Sequence, residues 1–190
     1  RRSSDLAALV VRESIARAGL EGKDVGQVVF GHVVNTEPKD MYLSRVATIH
    51  GGCPKETVAM NVNRLCGSGL QSIVSAAQSI LLGDCDVAIG GGAENMSRAP
   101  YASLASRWGA RMGDTKMVDM MVGALTDPFA GTHMGITAEN VAAKWNISRE
   151  DQDQLALESH QRAEQAWAEN RFKRQFVPVT IKTRKGDVVF

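Results

Sequence analysis

The hydrophobic pattern of the first ninety or so residues alternates between two rhythms. Apolar side chains at Leu6, Leu9, Val10 and Ile15 predict a helix over residues 5–18, with Ser4 or Asp5 as its cap and Gly19 as its stop. The compact run from Val28-Val29-Phe30 through Val33-Val34 reads as a buried strand. After a loop containing Pro38, a short helix is expected from about Tyr42 to Ile49, closed by Gly51-Gly52, and a second strand over residues 57–62. Leu70, Ile73, Val74, Ala77, Ile80 and Leu81 mark one face of a further helix, while Ser68, Ser72, Ser75 and Ser79 line much of the other. A helix whose polar side holds only small residues is expected to be buried on both sides. A third strand over residues 86–89 runs into Gly90-Gly91-Gly92. Strand, helix and strand in this order predict βαβ units and a largely parallel sheet, hence an α/β fold.

From about Asn95 the rhythm is lost. Residues 96–134 hold six of the eight methionines and the cations Arg98, Arg107, Arg111 and Lys116, a pattern of a long functional excursion rather than a packed layer. Helical periodicity returns from Thr137 to Trp145. Ser148 with Asp151 has the spacing of a capping box and opens a long helix to about Asn170. Strand-like segments over residues 176–182 and 188–190 follow.

Composition narrows the function classes. The chain has 190 residues, and 22 Lys/Arg against 21 Asp/Glu leave a formal charge of +1, which argues against a binder of nucleic acid or acidic polymer. No apolar run approaches the roughly 18–20 residues that would cross a bilayer, so no membrane partner is expected. Cys53, Cys66 and Cys85 are widely spaced, with neither a disulfide pattern nor zinc-ligand spacing, and this predicts a reduced, cytoplasmic, metal-free protein. The chain begins at Arg1 without Met and ends at Phe190 inside an apolar run, from which we expect that one or both natural ends lie elsewhere.

Chemistry concentrates in Asn63-Arg64-Leu65-Cys66-Gly67-Ser68-Gly69-Leu70-Gln71-Ser72. Here a strand ends, the chain turns, and Cys66 stands at the entrance to a helix. Helix N-termini favour negative charge, which makes this a position for a thiolate nucleophile. Gly67 and Gly69 leave room for a substrate carbonyl, and the Cys66 N–H is placed to help hold an oxyanion. The alternative for a lone cysteine at a tight turn is a small buried residue. Gly67-x-Gly69-x-x-Ser72 also suggests a dinucleotide fingerprint, but Ser72 replaces the third glycine and the acid that should follow the next strand is displaced to Glu94.

The same stretch, followed by Gly-Gly-Gly-Ala-Glu-Asn-Met-Ser at 90–97, resembles the thiolases, the family of acetyl-CoA acetyltransferases and 3-ketoacyl-CoA thiolases. His133-Met134-Gly135, Thr137-Ala138-Glu139-Asn140 and Arg184-Lys185-Gly186-Asp187 extend the resemblance over the whole chain, which resembles bacterial β-ketothiolases in particular. The resemblance implies a thiolase-like fold, layered α-β-α-β-α when intact. Residues 1–95 would then form the N-terminal core, lacking its first strand, and residues 96–190 a truncated loop domain. It implies that Cys66 takes an acyl group from acyl-CoA and passes it on by Claisen condensation with acetyl-CoA, or receives it by CoA-dependent thiolysis of a 3-ketoacyl-CoA. His133 and Met134 would line the CoA and acyl site, and Leu125 would fall in the segment covering the nucleophile. Coenzyme A thioester is then the substrate, with no further cofactor, and the partner is another copy of the chain in a dimer or tetramer.

The family's Gly-His-Pro histidine and Cys-x-Gly cysteine, its acid–base pair, have no counterpart in these residues. The resemblance therefore implies half of a thiolase, inactive or nearly so alone, with an apolar face left uncovered. Two further readings stand beside it: another Cys-nucleophile condensing enzyme such as a ketosynthase, and a non-catalytic CoA- or lipid-binding relative.

Overall fold

The computed structural model describes residues 2–190, so expectations that touch Arg1 lie outside the described residues. The chain divides into two compact units, the first ending at Thr126 and the second spanning Asp127–Phe190.

The first unit is built on three parallel strands, β1 (Gln27–Gly31), β2 (Val58–Val62) and β3 (Ala88–Gly92), in the order β2-β1-β3. Central β1 pairs Gln27 with both Val58 and Ala88, and Gly31 with both Val62 and Gly92. Its alternation sorts the layers. Val28 and Phe30 enter the hydrophobic cluster with Ala7, Val11 and Ile15 of α1 (Ser3–Arg17) and with Leu43 and Ala47 of α2 (Leu43–His50). The other face carries α3 (Ser68–Leu81). The apolar buried stripe of α1 is thus Ala7-Ala8-Val11-Ile15; of the four side chains that suggest this helix only Ile15 belongs to it, and Val10 is exposed. Pro38–Tyr42, expected as loop, forms a 3-10 turn leading into α2. The triple glycine is not a loop after the strand but its second half.

The layer between α3 and the sheet corrects one expectation. Ser68, Ser72, Ala76 and Ser79 are buried, whereas Leu70 and Leu81 are 70% and 84% exposed and Ile73, Val74 and Ile80 are also exposed. The helix is buried on its serine side only. Close approach is the reason: a Cβ on Gly31 would stand 2.6 Å from the Ser68 backbone, and one on Gly90 would stand 2.8 Å from the Ile73 Cα. Only small residues fit such a seam. Ser72 Oγ lies 2.6 Å from the Gly91 carbonyl oxygen and ties helix to strand.

Residues 96–126 hold a short antiparallel pair, β4 (Tyr101–Ser103) with β5 (Met117–Asp119), and a five-residue helix, α4 (Met120–Ala124). They belong to the first compact unit, so the composition change near residue 95 does not coincide with the division after Thr126.

The second unit contains α5 (Met134–Trp145), α6 (Arg149–Ala168) and a hairpin of β6 (Thr180–Thr183) and β7 (Gly186–Val189). The capping box of α6 forms as its sequence suggests: Ser148 Oγ accepts from the Asp151 N–H at 3.0 Å, and the Asp151 carboxylate accepts from the Ser148 N–H at 3.2 Å. α5 starts three residues earlier than expected because His133 caps it, its Nδ1 accepting from the Gly135 N–H at 3.0 Å. Among the described residues no helix is long and apolar enough to cross a membrane.

Candidate functional site

Cys66 stands two residues before the first residue of α3, and its side chain is exposed. The turn that presents it is tightly held. The Asn63 side chain accepts from the Leu65 N–H at 3.0 Å, Leu65 adopts a left-handed φ of 47°, and Ser68 Oγ accepts from the Arg64 N–H while donating to the Leu65 carbonyl at 2.6 Å. A positive φ at a leucine is uncommon and is retained only where neighbours over-determine it. Here Asn63 and Ser68 supply that constraint on either side of Cys66. Gly69 faces open space and Gly67 makes ordinary contact only, so packing demands neither glycine.

The Cys66 side chain opens into a cavity of about 170 Å³ in the first unit. Leu65 and the Val33-Val34 segment line it together with Met96, Met121, Ala124 and Leu125 of the second wall, and Glu94 lines it as well. α4 delivers the second wall. Its cap is Asp119, whose carboxylate accepts from the Met121 N–H at 2.8 Å, and Leu125 follows directly after its last residue. The volume is below the several hundred Å³ of a pocket for a whole organic ligand. It suits a short acyl group beside the sulfur, and a second cavity of about 370 Å³ shares Val33, Val34, Leu65 and Ala124 with it.

Of the residues named from the sequence, Cys66 and Leu125 line this one cavity. His133 and Met134 belong to the second unit, at the cap and first residue of α5. Among the methionines of the excursion, Met96 and Met121 line the cavity, whereas Met112 is almost fully exposed. Arg98 lies 3.6 Å from the Glu37 carboxylate; Arg107 and Arg111 are exposed. The other cysteines differ in surroundings. Burial pushes the Cys53 thiol up, and Cys85 is raised by burial and then by Asp84 and Asp86.

Two residues near the site are not assigned to it by the sequence, where His32 reads as a surface or hydrogen-bonded structural residue and Glu94 as part of the 90–97 motif. His32 is buried, with Nδ1 2.7 Å from the Ala93 carbonyl oxygen, and Glu94 accepts from the N–H groups of Val33 and Val34 at 2.9 and 3.1 Å. The signal for Glu94 lay in Gly-Gly-Gly-Ala-Glu, where the acid stands two residues after the end of a strand.

Comparison with known proteins agrees in every direction. The family profile described as "Thiolase, N-terminal domain" matches residues 1–190. The chain is 65% identical over 187 residues to "Beta-ketothiolase BktB" of Cupriavidus necator, covering 98% of this chain and 48% of that protein. It is 44% identical over 191 residues to "Acetyl-CoA acetyltransferase" of Syntrophomonas wolfei, covering 99% and 48%. Among solved structures, human mitochondrial 3-ketoacyl-CoA thiolase superposes with a TM-score of 0.94 at 37% identity, over 99% of this chain and 48% of that one. The same human enzyme in complex with CoA gives 0.89 at 37% identity, over 93% and 45%. The chain spans about half the length of the relatives it matches.

Proposed function

Because this chain belongs to the thiolase family, we propose that it supplies the nucleophile-bearing half of an acyl-CoA acyltransferase. Cys66 Sγ attacks the carbonyl carbon of an acyl-CoA; the C–S bond to CoA breaks, CoA leaves as its thiol after taking up a proton, and the acyl group stays on Cys66 as a thioester. In condensation, acetyl-CoA deprotonated at its methyl attacks that thioester and releases the Cys66 thiolate. In the reverse direction Cys66 cleaves a 3-ketoacyl-CoA and CoA carries the acyl group away. The Cys66 N–H contributes to the oxyanion hole.

The observation that carries this reading is the placement of an exposed Cys66, on a turn fixed by Asn63 and Ser68, at the mouth of an acyl-sized cavity. Leu125 covers the acyl group from the far wall. His133 and Met134 are assigned to pantetheine and acyl contacts from the family resemblance, and residues 96–190 to the family's loop domain. CoA thioester is the substrate, with no further cofactor. The protein works in fatty acid metabolism as a cytoplasmic homo-oligomer, a dimer or tetramer. The exposed apolar stripe of α3 is where the remaining length of a thiolase packs.

Steady-state thiolysis of acetoacetyl-CoA tests the proposal in a chimera, in which this chain replaces the aligned stretch of the Cupriavidus necator β-ketothiolase. The chimera is expected to turn over with ping-pong kinetics and to lose activity by about 10³-fold or more in Cys66→Ala. The 190-residue chain alone is expected to show orders of magnitude less turnover, since it lacks the Gly-His-Pro and Cys-x-Gly acid–base residues. Activity retained in Cys66→Ala would overturn the assignment, and absence of turnover in a folded chimera would favour a non-catalytic CoA-binding role.

A further inference from the structure

We propose that His32 and Glu94 act together as a clamp that fixes the Val33-Val34 wall of the Cys66 cavity and so sets its selectivity for acyl length. The inference rests on the reading of Cys66 as the acyl acceptor.

The strand ladder of β1 ends at Gly31, yet the chain beyond it does not relax. The His32 N–H donates to the Val62 carbonyl at 3.0 Å, and the Ala93 N–H donates to the Gly31 carbonyl at 3.2 Å. The next two N–H groups, of Val33 and Val34, are both taken by one carboxylate, Glu94, each by a separate oxygen. These two valines line the cavity with Cys66. Glu94 thus does for the cavity wall what a fourth stretch of backbone would do for a strand.

His32 holds the bracket from behind. Its side chain is almost wholly buried. Because a carbonyl oxygen only accepts, the 2.7 Å contact with Ala93 places a proton on Nδ1, and the same nitrogen lies 3.4 Å from Glu94 Oε1. The ring therefore fixes the residue preceding Glu94 by a hydrogen bond and packs within 3.4 Å of the carboxylate. On its other side Nε2 faces the fully buried Asp40, 3.9 Å away, whose carboxylate is in turn held by the Thr36 N–H and hydroxyl at 2.8 Å. His32 does not line the cavity, so it acts on an acyl group only through Val33, Val34 and Glu94. It is a positioning residue.

The test uses two alkylating agents with the same reactive group, iodoacetamide and its N-hexyl derivative, on the 190-residue chain, with Cys66 modification followed by peptide mass spectrometry. Both agents meet the same sulfur, so the ratio of their rates cancels the thiolate fraction and reports the cavity alone. His32→Leu removes the Nδ1 donor, and Glu94→Gln leaves one acceptor oxygen where two are needed. Each is expected to shift the ratio by about fivefold, the factor a typical net hydrogen bond carries. His32→Asn, which keeps a side-chain donor for Ala93, is expected to restore most of the parental ratio. An unchanged ratio in folded His32→Leu and Glu94→Gln, or His32→Asn behaving as His32→Leu, would overturn the clamp. Failure of the underlying reading looks different: iodoacetamide would then label Cys66 no faster than Cys53 or Cys85, whatever the ratio does.

Discussion

At the scale of single residues, the three cysteines share a side chain and differ in everything that governs its reactivity. Cys66 is exposed beside a helix start, Cys53 is buried, and Cys85 lies between two aspartates. Burial raises the thiols of Cys53 and Cys85, and for Cys85 the charges of Asp84 and Asp86 raise it further. A raised thiol holds less thiolate at any given pH, so both are expected to react more slowly than an ordinary thiol near neutrality and to gain rate only at more alkaline pH. At pH 7, iodoacetamide should modify Cys66 at least about tenfold faster than either. Asp86→Asn should speed Cys85 selectively. Quantitative peptide mapping checks both, and equal labelling of the three thiols would contradict the first. The turn before a helix leaves a small buried cysteine as an alternative at Cys66, and the resemblance carried by residues 63–72 and 90–97 points to a nucleophile; the structure shows the side chain exposed. The sequence concealed His32, since a histidine within an apolar run looks the same whether it is a passive structural group or the back of a bracket joining residues 61 and 62 positions apart in sequence.

At the scale of elements, the strands and helices of the first unit were legible from periodicity, but the face each helix buries was not. The small residues opposite the apolar side of α3 predict burial on both sides, but the apolar side is exposed. The sheet receives the serine side, because Gly31 and Gly90 bring the backbones too close for anything larger. Gly31→Ala is therefore expected to push α3 away from β1 and to destabilise the unit by about 1–3 kcal/mol. It should also loosen the Ser68 end of the turn that carries Cys66, so thermal melting and Cys66 labelling should change together. A melting temperature equal to the parent's would contradict the seam. In the second unit, hydrogen bonds from Ser148 hold the Asp151 carboxyl below the usual carboxylate range. A carboxyl lowered by folding stabilises the helix above its unfolded-state value, and the benefit disappears as pH falls through the lowered one. Acid titration followed by circular dichroism should show fraying of α6 in that window, and Ser148→Ala should weaken the helix start already at neutral pH. His133 as the cap of α5 was not legible, because a histidine is an unusual N-cap and the apolar rhythm begins only after it.

At the scale of the whole molecule, the chain matches about half of each relative and presents an apolar helix face to solvent. A substitution on that face separates its two possible states. Leu70→Lys is expected to change the stability of the 190-residue chain by no more than about 0.5 kcal/mol, as at any exposed site. In the chimera with the β-ketothiolase remainder the same change should cost more than about 2 kcal/mol, because a charge would enter a packed layer. Equal effects in both would mean that the face stays exposed. The methionine-rich composition of residues 96–134 predicts an excursion rather than a packed layer, but that Met121 reaches the cavity depends on how Asp119 caps α4, a local geometry that composition does not encode.

The central claim is that Cys66 carries the acyl group, and it is tested most directly by trapping that intermediate. The chimera is incubated with acetyl-CoA in the absence of a second substrate, quenched in acid and digested, and the peptides are read by mass spectrometry. The expected result is one acetyl group on Cys66 as a thioester, labile to hydroxylamine and absent in Cys66→Ala. Acetyl on another residue, or none on Cys66 in a folded chimera that binds acetyl-CoA, would contradict the account.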